Sequence, residues 1–317
     1  MEKDKQKQKP YNIGGQAVME GVMMRGKDVY SLAVRNPKTG IQTVVRGVGK
    51  KTPKFFKLPI VRGVYAFIQS LTSGIKVIYD SAEMSGLTDL EEEEPSKFDK
   101  WLERKFGDKL ASFMMTISVI IALVAGVLLF MALPTFLAGL LRKAIGQDWI
   151  TSIAEGVVRI VIFLLYLILV SKTKEIKRVF GYHGAEHKTI NCYENNGELT
   201  VESVKAHSRL HKRCGTSFLL IVMLVSMIFF FFVPIDDGWM RVLSRIVFLP
   251  VVAGLSYEII RWAGSNDNAF VRAVSYPGIC LQKITTNEPD DEMIEVAITA
   301  VKLVLEAENA TTTTQSS

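Results

Sequence analysis

The sequence predicts a mainly α-helical, polytopic membrane protein: about four transmembrane helices in two hairpins, with a small cytoplasmic α+β region. Three observations carry this. Long apolar runs punctuate a chain whose mean hydropathy is +0.22 although 22% of its residues are charged, so apolar and polar segments are kept apart. Each run reaches the ~20 residues that a helix needs to cross a bilayer. Lys and Arg crowd into particular loops beside those runs, the distribution that orients a membrane protein.

Residues 1–110 read as a cytoplasmic α+β region. The opening MEKDKQKQKPYNIGG is basic and has no apolar core, so it does not read as a secretory signal. YNIGGQAVMEGVMMRG, rich in glycine, reads as a loop shaped by its backbone, and VYSLAVRN with TGIQTVVRGV as a β-hairpin. Leu58 to Asp80 is long enough to span, but Arg62, Gln69, Ser73, Lys76 and Asp80 fall on one narrow face. An amphipathic helix lying on the inner membrane surface is the reading favoured over a span. A charged linker begins at Leu90.

The first hairpin, residues 111–170, comprises Phe113 to Leu141, with a kink expected at Pro134, and about Ile150 to Val170. The second, 216–262, comprises Thr216 to Ile235 and about Val242 to Trp262, the latter with Pro250 and Gly254. The loop 171–215 between the hairpins carries Lys172, Lys174, Lys177, Arg178, Lys188, Lys205, Arg209, Lys212 and Arg213, while the turns within the hairpins carry few positive charges. The positive-inside rule then places this loop and both termini in the cytoplasm of a multi-pass inner-membrane protein. Glu155 and Arg159, four apart, suit an ion pair, and Arg245 and Glu258 lie in the fourth run. They read either as a polar pathway or as pairing within the bundle. Residues 263–317 end in a helix opened by Pro289, with an apolar stripe through Ile294, Ala297, Ile298, Val301 and Leu305, and a TTTTQSS tail left disordered.

The net charge of +6 does not imply nucleic acid, because no recognition motif accompanies it. The expected partners are the lipid bilayer and other membrane proteins. Cys192, Cys214 and Cys280 are irregularly spaced and read as reduced thiols or as ligands.

All four histidines fall in the central loop as two pairs spaced four apart: His183 and His187 in HGAEHKTINCYE, His207 and His211 in HSRLHKRCG. On a helix from Thr200 to Gly215, Val204, His207, His211 and Cys214 share one face. On a helix through Tyr182 to Tyr193, His183, Glu186 and His187 do the same. Such a pair lets two ring nitrogens converge on one metal ion, and Glu186 between them can act as a base on water. His-x-x-Glu-His matches the inverted zinc-protease signature. The competing interpretation is a pair of packed helices whose histidines hydrogen-bond backbone and acids.

GGQAVMEGVMMRG, YHGAEHKTINCYE, SRLHKRCGTSFLL, LPVVAGLSYEIIR and LQKITTNEPDDEMIEVAI occur in the order seen in the YqhQ family of bacterial membrane proteins (domain of unknown function 1385). The chain resembles that family from about Tyr11 to Leu305. The family is described as predicted metal-dependent enzymes. The resemblance marks Gly14, Gly15, Gln16, Glu20, Gly21 and Arg25; His183, Glu186, His187, Cys192, Glu194, His211 and Cys214; and Tyr257, Glu258, Pro277, Gly278 and Gln282, with His207 carried over least firmly. It differs at Lys212, where the family often has proline.

The expectation is therefore a metal-dependent hydrolase at the cytoplasmic membrane face. His183, His187 and His211 are the expected ligands of a divalent ion, zinc by preference, with Cys214 as a further ligand and Glu186 as general base. The alternatives are a non-enzymatic assembly or scaffolding factor and, from the intramembrane charges, an ion transporter. Gly-Gly-Gln also occurs in peptide-release factors, where it serves ester hydrolysis, but three residues do not carry that function across.

Overall fold

A computed structural model describes residues 13–48, 53–86, 110–145, 148–233, 235, 238–264, 266 and 268–315. Four strands come first: β1 (Gly14–Val18), β2 (Gly21–Arg25), β3 (Val29–Asn36) and β4 (Gly40–Gly47). Helices follow: α1 (Val61–Ser85), α2 (Leu110–Val127), α3 (Leu133–Ile145), α4 (Asp148–Val170) and α5 (Lys174–Glu194). The chain continues through α6 (Val201–Lys205), α7 (Gly215–Phe231), α8 (Gly238–Gly264), α9 (Ala269–Thr285) and α10 (Asp291–Gln315). The basic amino terminus and the charged linker lie outside the described residues.

The strands form an antiparallel meander in chain order. The expected hairpin is β3–β4, paired from Asn36↔Gly40 to Val29↔Gly47. GGQAVMEGVMMRG departs from expectation: it is a second hairpin, β1–β2, rather than an irregular loop. Its glycines, poor strand formers, conceal the strands, yet two of them answer to packing. A Cβ on Gly15 would sit 2.7 Å from Glu186 Cγ, and one on Gly21 would run into the Ala33 carbonyl. At the turn, Glu20 adopts a φ of 51°, unusual for a non-glycine residue. Its carboxylate is gripped by Arg178 and accepts from Tyr182 Oη at 3.2 Å.

Alternation sends the two sheet faces to different partners. Ala17, Val22, Met24 and Ala33 join the main core with Tyr182 and Ala185 of α5 and Ile294, Ala297 and Val301 of α10. Val18, Leu32 and Val34 instead pack on Val77 of α1. The expected stripe of α10 is buried through Val301 with Leu305 half-buried, but burial extends to Met293, Val296, Ala300, Val304 and Glu308, because the helix lies against both the sheet and α5. Glu308 accepts the Asp28 and Val29 N–H groups at 2.7 and 3.1 Å, fixing the β2–β3 turn. The helix also continues to Gln315, through the threonines expected to be disordered. α9 has no counterpart among the predicted elements: Pro277 sits inside it, where a proline argues against a helix.

Among the described residues, three helical stretches are long and apolar enough to cross a membrane: Thr116–Leu141, Ile150–Val170 and Trp239–Ala263. The remaining apolar run, Thr216 to Ile235, forms α7, of 17 residues. At 1.5 Å per residue that is about 25 Å, short of a ~30 Å bilayer core. Pro134 has no N–H to offer the Phe130 carbonyl four residues back. The first span widens there into a π-helical turn, Leu128–Ala132, and Arg159 Nε donates to the Phe130 carbonyl at 2.9 Å.

α1 is not among the three candidate spans. The polar residues expected on one face include partners inside the molecule: Arg62 pairs with Glu258 of α8, and Asp80 with Arg46 of β4 at 2.6 Å. Glycine permits the close crossing with α8, where a Cβ on Gly63 would lie 2.8 Å from Gly254 Cα. Ile68, Leu71, Ile75 and Ile78 leave an exposed apolar side along α1.

Candidate metal centre

α5 begins after Thr173 with Glu175 in its first turn, favourable against the helix dipole, and runs unbroken through HGAEHKTINCYE. His183 and His187 therefore stand one turn apart, their ring centroids separated by 4.4 Å. Their Nδ1 atoms meet carbonyl oxygens, that of Thr285 at 2.8 Å and that of Arg209 at 2.7 Å. A carbonyl only accepts, so each Nδ1 carries the proton and each Nε2 keeps its lone pair. Cys214 Sγ lies 3.4 Å from His183 Nε2. One ligand atom from each of His183, His187 and Cys214 lies within 4.8 Å of the others. Burial holds His187 below the ordinary imidazole pKa, favouring the neutral, ligating form.

The second histidine pair corrects the sequence reading. Thr200 caps α6 as expected, its Oγ1 accepting from the Ser203 N–H at 3.3 Å, but the helix ends at Lys205. Residues 206–214 form a strap laid along α5, because α5 side chains take the carbonyls that a helix would use itself. Lys188 Nζ donates to the Lys205 and His207 carbonyls at 3.0 and 2.9 Å, and Asn191 Nδ2 to those of Ser208 and Leu210 at 2.7 and 3.1 Å. Helical spacing of His207, His211 and Cys214 thus does not give a shared helical face. We expect Lys188→Met to cost about 1 kcal/mol by taking the donor from two part-buried carbonyls, measured as a lower melting midpoint in detergent.

The strap delivers Cys214 as the N-cap of α7, its sulfur accepting from the Thr216 N–H at 3.4 Å. His211, the other expected ligand, stands outside the close group. Its Nε2 meets Glu194 Oε2 at 3.2 Å, and its Nδ1 accepts from the Arg213 N–H at 3.3 Å. Gln282 holds the same residue from α9, accepting its N–H and donating to its carbonyl, both at 2.9 Å. His207 bonds the Ser203 carbonyl through Nδ1 at 2.8 Å.

Glu186 is buried beside the ligand group, its Oε2 3.9 Å from His183 Nε2. Burial pushes its pKa up to about 7; the His183 ring and the Gly15 backbone N–H pull the other way. The first motif therefore contributes backbone here: Gly15 must lack a side chain to admit Glu186. Gln16 points to the opposite sheet face, its amide 3.5 Å from where a Cβ on Gly74 of α1 would stand. Gly14 lies at the start of β1 opposite Arg25. Cys192 is buried near the Glu198 carbonyl and Ser203 Oγ, at 3.3 and 3.4 Å. Tyr257 and Glu258 brace the start of α1, Glu258 taking Arg62 and the Ile60 N–H. Gly278 of α9 sits against Ser217 of α7, where a Cβ would lie 2.6 Å from Ser217 Oγ. The carbonyl of Thr285, which orients His183, lies within LQKITTNEPDDEMIEVAI, where the resemblance marks Gln282 and not Thr285. A backbone acceptor leaves no residue signature.

The profile described as "Protein of unknown function (DUF1385)" matches residues 58–307. "Uncharacterized protein YqhQ" of Bacillus subtilis (strain 168) is 37% identical over 304 residues, covering 94% of each chain. No solved structure matches. With the profile spanning most of the chain and the relative nearly all of it, the chain belongs to the YqhQ family, that of domain of unknown function 1385.

Proposed function

We propose that the protein is a metal-dependent hydrolase working at the cytoplasmic face of a membrane, with one zinc ion held by His183, His187 and Cys214. The observation that carries this is the convergence of the three donors within 4.8 Å, with both imidazoles oriented by carbonyls at Nδ1. Three protein donors of N and S type match the catalytic class of zinc site rather than the closed four-donor class. A zinc ion there supplies Lewis-acid activation of water and of the scissile carbonyl. Glu186 takes the proton from the attacking water and returns it to the leaving group as the carbonyl–heteroatom bond breaks. The Gly15 amide and the fixed imidazoles keep that carboxylate beside the reacting atoms. The Lys and Arg of loop 171–215 support the cytoplasmic placement.

Glu186→Gln tests the reading. Against a panel of ester and amide probes we expect hydrolysis to fall by about 10²–10⁴-fold with zinc content unchanged. No zinc-dependent hydrolysis by the wild type, or full activity in the variant, would sink it. The assembly-factor reading is favoured by one feature: the ligands come from α5 and the N-cap of α7, so a metal would tie the two together. In that case Glu186→Gln would restore the phenotype of a deletion strain.

A further inference from the structure

The loop end of the helical hairpins, opposite the metal centre, carries a second cluster. Glu155 of α4 is 1% exposed, and its Oε1 lies 2.9 Å from Arg159 Nη2, 2.6 Å from Arg245 Nη2 and 2.8 Å from Thr135 Oγ1. Its Oε2 faces Arg241 Nη1 at 3.7 Å, beyond hydrogen-bond distance. Arg159 also donates to Ser226 Oγ at 3.2 Å, and the Arg245 guanidinium stands 5.0 Å over the Phe230 ring. Among the described residues, three guanidiniums face one carboxylate, leaving two positive charges over. Two buried atoms of the cluster, Glu155 Oε2 and Arg245 Nε, have no hydrogen-bond partner.

This is an expensive way to neutralise one glutamate. A charged residue inside a membrane is costly, and a single arginine would have balanced Glu155. From the start of α8 at Gly238, the helix rise puts Arg241 about 5 Å and Arg245 about 10 Å in. At such depths the side chains could reach the interface by snorkelling. Arg245 and Arg159 instead turn inward, their side chains only 7% and 9% exposed. Arg241 is slightly more open, at 12%, and nearer the helix start.

We propose that Arg159, Arg241 and Arg245 form a binding site for a phosphate group, with Arg241 at its mouth and Glu155 as the internal counter-ion with which phosphate competes. The two surplus charges match a phosphate dianion, and guanidinium forks pair with phosphate oxygens two at a time. Arg245 Nε is a donor without an acceptor until such a group arrives. The phosphate can come from a lipid headgroup or from solution.

Titration of the detergent-purified protein with inorganic phosphate and with short-chain phosphatidic acid, at constant ionic strength set by chloride, tests this. Saturable binding with a raised melting midpoint is expected for one or both probes. Response to phosphatidic acid alone identifies the lipid source, and response to inorganic phosphate a soluble one. Arg241→Gln should weaken binding about tenfold or more through loss of a charged hydrogen bond. Glu155→Gln, which removes the competitor, should tighten it. No saturable binding of either probe to the wild type overturns the proposal, as does undiminished binding in both Arg241→Gln and Arg245→Gln. The wild-type titration stands even where a variant fails to fold.

Discussion

Elemental analysis of the detergent-purified protein is expected to find about one zinc per chain, and none in a His183→Ala/His187→Ala double variant. The geometry argues for a large effect. Both imidazoles come from one rigid helix, and both present Nε2 because carbonyls hold Nδ1. Orientation is thus built into the fold before any ion arrives, so little binding energy goes into ordering the donors. Removing two of the three donors leaves Cys214 alone, and one thiol does not retain zinc through purification. The variant should still fold, since it loses two hydrogen bonds worth about 1 kcal/mol each. Cys214→Ser should give an intermediate result: a hydroxyl is a weaker zinc donor than sulfur but can still cap α7. A wild type without metal, even after reconstitution, would leave the HGAEHKTINCYE face as a packing and hydrogen-bonding surface. The assembly-factor reading would then lead.

Much of this arrangement could be read from residues because it depends on local periodicity. The helix carrying His183, Glu186 and His187, the β3–β4 hairpin and three apolar spans each follow from patterns a few residues long. What escaped depends on partners distant in sequence. The strap 206–214 has the spacing of a helix, and only the Lys188 and Asn191 side chains of another element draw it out. β1 and β2 are obscured by glycines, and the reason for one of them, Gly15, is Glu186, more than 150 residues away in the chain. Pro277 disguised α9, and with it the segment whose Thr285 carbonyl orients His183. The histidine motif pointed to a metal, but the folded chain decides which donors meet: Cys214 stands with His183 and His187, and His211 is held by Glu194.

Gly184→Ala is expected to destabilise the protein by about 3 kcal/mol or more, whereas Gly181→Ala, one turn earlier on the same helix, should cost about 1 kcal/mol or less. Both glycines face the layer that covers α5, but they meet different neighbours. A Cβ on Gly181 would lie 2.7 Å from Met293 Sδ, the flexible end of a side chain that can swing aside. Alanine also recovers up to about 1 kcal/mol of helix propensity there. A Cβ on Gly184 would run into the Asn287 carbonyl oxygen, which is backbone. That backbone is fixed: the Asn287 N–H donates to the Phe180 carbonyl at 2.8 Å, and Asn287 Nδ2 to that of Lys177 at 3.0 Å. Pushing the segment away would also shift Thr285, whose carbonyl holds His183. Gly184→Ala should therefore loosen zinc along with the fold. Gly181→Ala should leave zinc affinity intact, with melting midpoints and chelator competition as the two readouts. Equal effects from the two substitutions would mean that the 285–289 segment yields as easily as a methionine tip. The Thr285 carbonyl would then not be what orients His183, and the preorganisation on which the zinc proposal rests would lose one of its two pins.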